Sequence, residues 1–388
     1  MFTLYTGFVA FVLVMLALDL FVVNRKPHAI STKAALFWTG VCVVLALGFS
    51  GVVYHLYESN YYGLGDSMRA RHADMERARG GGAVPALSDV ASSATPPSDT
   101  DSASTQPPTP TKSLASEMDP IPQNISPGWH AMLEFLSGWL IEYSLSLDNI
   151  FVIALIFAHF RIPREYQHRV LFWGILGALI MRGVMIGVGA VLIKEFQWIL
   201  YVFGAVLIYT AFKMLRGSED HIEPEEGFVY RTARKLFPLH PKIEGQKFFL
   251  RVDGRLFMTP MFLVLLIVES TDVIFAIDSI PAIFAITQDP FLVFTSNVFA
   301  ILGLRSMYFA LAAMIDQFRL LKYSLAFVLA FIGFKMILTY WHIHFGTGVS
   351  LGVIASALAA GVIASMLIPV KKTQEPDTGA MGEPKPEA

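Results

Sequence analysis

The chain has 388 residues, 54% of them hydrophobic, 13% aromatic and only 15% charged, with a formal net charge of −2. Long uncharged stretches in that composition exclude a large soluble enzyme and indicate a polytopic membrane protein, and no basic excess points to nucleic acid. The single cysteine, Cys42, lies in an apolar run, which excludes an intramolecular disulfide and a thiolate metal cluster.

In chain order, nine apolar segments near the ~20 residues needed to cross a bilayer core are expected. They run from Tyr5 to Val23, Ala34 to Tyr57, Met132 to His159, Val170 to Ile193, Phe196 to Leu215, Phe257 to Thr287, Pro290 to Ile315, Tyr323 to Tyr340 and Gly348 to Ile368. The first is not expected to be a cleaved leader: no basic residue precedes it, and Arg25 and Lys26 follow it. Basic residues gather in the odd-numbered connections: Arg161, Arg164 and Arg169 after span three; Lys213, Arg216, Arg231, Arg234 and Lys235 after span five; Arg319 and Lys322 after span seven; Lys371 and Lys372 after span nine. The positive-inside rule then puts the N-terminus outside the cytoplasm and the C-terminus within it.

The expected organisation is a pair of N-terminal spans (1–57), an insert (58–126), a first three-helix unit (127–215), a loop (216–256), a second three-helix unit (257–340), a last span (341–370) and a tail (371–388). The insert, rich in Ser, Thr, Pro and Asp, is expected to be disordered and extracytoplasmic, and the tail disordered and cytoplasmic. The loop 216–256 reads as a solvated connector. Gly63-Leu64-Gly65-Asp66 matches an intramembrane protease signature by chance, because it falls in a polar loop.

An internal repeat is visible. Phe196 and Phe212-Lys213-Met214 recur as Phe318 and Phe334-Lys335-Met336 at a shift of 122. Asp148-Asn149-Ile150-Phe151 recurs as Asp272-Val273-Ile274-Phe275 at a shift of 124, and the Gly177–Arg182 stretch resembles Gly303-Leu304-Arg305. Spans three to five thus match spans six to eight. Three is odd, so the second copy is inverted, a common transporter plan with its site at the repeat interface. The fold expected is an all-α polytopic bundle of about nine spans with an inverted 3+3 repeat.

Five carboxyl groups fall inside these apolar segments: Glu142, Asp148, Glu269, Asp272 and Asp278. Each ionisable group at the centre of a span costs about 2.5–3.5 kcal/mol on insertion scales, so such groups mark function. At ~100° per residue Glu142 and Asn149 share a face, with Asp148 to one side, and Glu269 and Asp272 stand one turn apart. Asp278 points away on an ideal helix, but Pro281 removes an N–H one turn later and a broken helix would turn it back. Ser146, Ser279 and Asn297 are accessory oxygen donors. Arg182 and Arg305 can pair with the acids, and Asp19, near the inner end of span one, is either an interfacial anchor or peripheral to the permeation route. Two arginines leave three of five acids unpaired; a cation is the simplest compensation, with purely structural pairing or a proton relay without metal as the alternatives. Carboxylate, amide and hydroxyl donors suit Mg2+, Ca2+ or Mn2+; the ten histidines lie in loops or at span ends, which argues against zinc or copper. No enzyme chemistry and no tightly bound cofactor are expected.

Glu142 to Asn149 with Ile150-Phe151-Val152, Phe172-Trp173-Gly174-Ile175-Leu176-Gly177-Ala178, Glu269 to Ala282 and Thr295 to Arg305 together resemble the TerC family of bacterial integral membrane proteins. The resemblance implies a manganese exporter of the bacterial inner membrane, with Glu142, Asp148, Asn149, Glu269, Asp272 and Asp278 as the metal path. The family takes its name from tellurium resistance, and some members have been called redox modulators. Alternating access is the mechanism expected. Protons can return on the same carboxylates, because loss of water favours the neutral acid. A membrane scaffold in a stress-response complex, without transport of its own, is the alternative, and protein partners are open.

Overall fold

The computed structural model describes residues 2–18, 32–71, 126–196, 198–216, 228–241, 243, 245–252, 254–311, 321–338 and 346–367. The helices are α1 (Phe2–Leu18), α2 (Thr32–Glu58), α3 (64–71), α4 (Pro127–His159), α5 (Arg164–Glu195), α6 (Ile199–Arg216), α7 (Phe228–Leu236), α8 (Pro260–Phe284), α9 (Pro290–Leu311), α10 (Leu321–Leu338) and α11 (Thr347–Leu367). Eight are long and apolar enough to cross a membrane, and α1 is a shorter apolar helix. The chain is therefore a polytopic helical membrane bundle, as its composition requires. Asp19, residues 72–125 and the tail lie outside the described residues.

Three expectations need correction. The beginning of the insert is folded: Tyr61–Gly63 forms a 3-10 turn and α3 follows it. Leu64 and Met68, one turn apart, are fully buried there, an apolar pair that the polar surroundings obscured. The loop before α8 also carries structure, with α7 and the hairpin β1 (Phe249–Val252) and β2 (Arg255–Met258), which pair antiparallel. That hairpin delays the start of span six until Pro260, at the first helical turn where a missing N–H is harmless. Finally, α8 is not broken. It runs through Pro281 to Phe284, because the proline stands one turn from the end and its own carbonyl accepts from Ala285 N at 3.0 Å.

Asp66 of the protease-like tetrapeptide is exposed and holds Asn60 Nδ2 at 2.7 Å and Arg69 Nη1 at 3.1 Å, a surface turn. At the other edge of the insert, Glu58 Oε2 accepts from Ser126 Oγ (2.7 Å) and Gly128 N (3.0 Å). Ser126 in turn caps α4 by accepting from Trp129 N at 3.2 Å. The end of α2 and the start of α4 are thus clasped together.

α9 is central and buried along almost its whole length. It packs mainly on α4 and α2, α5 packs on α8, α6 on α10, and α11 on α10 and α4. The outer face of α5 exposes Val184, Val188 and Val191, as a lipid-facing helix does. The α6–α10 seam is a mutual close approach of glycines. A Cβ on Gly333 would stand 2.7 Å from the Gly204 carbonyl oxygen, and one on Gly204 would stand 3.0 Å from that of Gly333.

Gly333→Ala should therefore destabilise the bundle by about 1–3 kcal/mol through overpacking, read as a lower melting temperature in detergent. Gly187→Ala, where a Cβ meets nothing within 4 Å, should leave it unchanged.

Candidate functional site

Glu142 stands at the midpoint of the 33-residue α4, and Asp272 at the midpoint of the 25-residue α8. Both meet Arg182 of α5. The guanidinium donates through Nε to Asp272 Oδ2 (3.0 Å) and through Nη2 to Asp272 Oδ1 (2.7 Å), a two-pronged pair. Its Nη1 donates to Glu142 Oε1, and Ser279 Oγ lies 3.5 Å from the same nitrogen. Glu142 is 0% and Arg182 1% exposed, whereas the Asp272 side chain is 15% exposed, so the bridge is dry on its Glu142 side and open on its Asp272 side. Glu142 Oε2 has no hydrogen-bond partner.

Glu269, one turn before Asp272, rests against α5. The surface that receives it is Gly177: any Cβ there would fall on the Glu269 carboxyl group, and one on Gly174 would stand 3.9 Å from Oε1. Glu269 and Asp272 face a small cavity of about 30 Å3 closed by Gly174, Ala178, Val268 and Leu304. That is room for one or two waters, each of which needs ~10–15 Å3. Three acids and one arginine thus surround the middle of the bundle, and their formal charges leave negative charge in excess.

The other candidates stand apart. Asp148 is half-buried and turned toward α10, where Lys322 acts on it. Asp278 accepts from Thr210 Oγ1 of α6 at 2.8 Å, with Lys213 of the same helix acting on it. Because α8 is continuous, Asp278 does not join Glu269 and Asp272. Asn149 is 4% exposed, Ser146 is fully buried with a partnerless Oγ, and Asn297 of α9 is 1% exposed with neither amide atom bonded. Arg305 is buried on α9. Among the described residues no three His, Cys, Asp or Glu side chains come close enough together to hold a metal by themselves.

One buried acid is absent from the sequence reading. Glu134 lies two turns before Glu142 within the same apolar segment and is 6% exposed. The signal was present as a third carboxyl group in span three, beside Glu142 and Asp148.

The model of the integral membrane protein TerC family matches residues 127–374. The chain is 41% identical over 366 residues to the uncharacterized membrane protein STKORF319 of Myxococcus xanthus, covering 94% of this chain and 92% of that one. It is 49% identical over 226 residues to the "Putative membrane-bound redox modulator Alx" of Escherichia coli K12, covering 58% and 70% of the two chains. An uncharacterized membrane protein of Rickettsia felis is 46% identical over 234 residues, covering 60% of this chain and 77% of that one. No solved structure matches. With the family match spanning both three-helix units and the residues of the central bridge, the chain belongs to the TerC family of integral membrane proteins.

Proposed function

We propose that the protein exports a divalent metal cation across the bacterial inner membrane, Mn2+ being the ion that the family resemblance implies. The observation that carries the reading is the excess negative charge held at the midpoint of the bundle. Two carboxylates share one arginine there, and a third lies beside a cavity on the same helix. A buried charge without a partner is costly enough that a site of this kind needs a cation to balance it. Oxygen donors at several depths supply one.

The acids are staggered along the helix axes. On α8, Glu269, Asp272 and Asp278 follow one another toward the α3 end, and on α4 Glu142 and Asp148 follow one another toward the hairpin end. Asp148 turns to α10 and Asp278 to α6. Exchanging the two three-helix units exchanges α4 with α8 and α6 with α10, so in each unit an acid of the first helix approaches the third helix of the other unit. The same exchange turns the α4–α9 packing into the α8–α5 packing. That symmetry supports an inverted repeat with two half-paths meeting at the Arg182 bridge.

In this mechanism Arg182 is a tethered cation that holds the empty site closed. An arriving ion enters beside Glu269 and competes with the guanidinium for Asp272 and Glu142. Release of the α5 guanidinium loosens α5 from α4 and α8 together, and one unit can then rock against the other. Loading and opening are coupled because one side chain governs both. Protons on the freed carboxylates would restore the resting charge after the ion leaves.

The rival reading is a membrane scaffold. The Arg182 bridge favours it too, since it ties three helices together without any cargo. The redox name of the Escherichia coli relative adds little here, because one cysteine cannot form the dithiol pair that thiol exchange uses. Metal flux separates the two readings.

In proteoliposomes, Asp148→Asn and Asp272→Asn should each cut Mn2+ flux by ~10–100-fold or more while the protein still elutes as a folded species; unchanged flux in both removes the site. Gly177→Ala should do the same by displacing Glu269, with little effect expected from Gly187→Ala as its control. Arg182→Gln leaves two buried acids without their partner and should destabilise the fold by about 3–5 kcal/mol. Added Mn2+ should recover part of that loss, measured as a rise in melting temperature, whereas a scaffold would show no metal-dependent recovery.

A further inference from the structure

Glu134 takes no part in the metal path above, yet it is as isolated from water as the central acids. Thr287, in the turn between α8 and α9, donates to its carboxylate, and Oε2 has no partner. The charged and titratable groups around it come from every neighbouring element. They are Tyr57 of α2, Arg71 of α3, His130 one turn earlier on α4, Asp289 before α9 and Lys335 of α10. Asp289 is already satisfied: Tyr57 OH donates to it at 2.7 Å, Arg71 Nη2 at 2.8 Å and Phe291 N at 3.0 Å. The two cations that act on Glu134 are likewise engaged elsewhere, Arg71 with Asp289 and Lys335 with Ser350 Oγ at 3.0 Å.

Glu142 stands ~12 Å further along the same helix at 1.5 Å per residue. Between the two acids stand small and polar residues: Ser137 and Gly138 on α4, and on α9 Ser296, which lies against Gly138 together with Ile283 of α8, with Asn297 next to Ser296 in sequence. A Cβ on Gly138 would come within 2.9 Å of Ser296 Oγ, so the missing side chain admits that hydroxyl. Asn297 has both amide atoms unbonded at 1% exposure, and beyond it Glu142 Oε2 and Ser146 Oγ are also without partners. Unbonded polar atoms at this depth each carry a substantial desolvation cost. A file of them leading from Glu134 to the midpoint fits a route that hydrogen-bonded water completes.

We infer that this polar file conducts protons between the α3 end of the bundle and the central bridge, with Glu134 as the acid that takes them up. The inference rests on the transport reading. A hydronium ion gives its proton to the Glu134 carboxylate, which becomes a neutral acid. Glu134 then gives that proton to water beside Ser296 and Asn297, which carries it as hydronium toward the central bridge, and Glu134 returns to carboxylate. No electron moves and no other bond is broken. The positive-inside reading puts the α3 end outside, so the flow is inward, opposite to the metal.

The test uses the full chain in proteoliposomes with two measurements. One is exchange of labelled Mn2+ at equal concentrations without a pH difference, and the other is Mn2+ accumulation driven by a pH difference. Glu134→Gln is expected to exchange Mn2+ at the wild-type rate but to lose driven accumulation by about 100-fold, the scale of a positioned proton-transfer group, with Glu134→Asp restoring part of it. Driven accumulation that is unchanged in Glu134→Gln, or exchange and accumulation that fall together, overturns the inference and leaves the metal path standing. A wild-type protein that moves no Mn2+ in either measurement overturns both.

Discussion

An ion in hydrocarbon must be matched by an opposite charge held at hydrogen-bonding distance, and Arg182 is where this molecule meets that demand. Its guanidinium has enough donors to serve two carboxylates at once, Asp272 through two nitrogens and Glu142 through a third. A lysine could not reproduce this geometry, because a point charge lacks the planar fork. The choice fixes three helices relative to one another. It also leaves the pair of acids one positive charge short.

The rest of the architecture keeps the Glu142 side of that bridge dry. α9 fills the centre with Val298, Ala300, Ile301 and Leu304, while α5 offers Gly174, Gly177 and Ala178 where a larger face would expel Glu269. Small residues here are placed for the carboxylate as much as for helix packing. The glycine seam between α6 and α10 lets the two helices approach until backbone touches backbone, with Leu207, Ala211, Leu329, Ile332 and Met336 packed around it.

Much of this was legible in the chain. Hydropathy placed the helices, because a bilayer sets a minimum length and forbids unpaired backbone. Intramembrane acids marked Glu142, Asp272 and Glu269, because their cost makes chance placement rare. What escaped was three-dimensional. Asp278 sits on the far side of a regular helix, and the proline that promised to turn it back lies too near the end to matter. Glu134, in the first part of span three, was not singled out. Only the arrival of Thr287, Asp289 and Lys335 from other elements makes it a buried group. Leu64 and Met68 could not be recognised as core without the surface they cover, and the hairpin before α8 has strands of four residues, too short to show a period.

The clasp at Glu58 joins two parts of the chain that lie 68 residues apart in sequence. Since Glu58 holds both Ser126 and Gly128, the departure point of the insert and its point of return lie side by side on the surface. Closing a longer or shorter segment between fixed ends costs little, about 0.6 kcal/mol for each doubling in length. Relatives can therefore differ freely between residues 72 and 125 without disturbing α2 or α4, and the same stretch offers a natural place to graft a tag or a second domain.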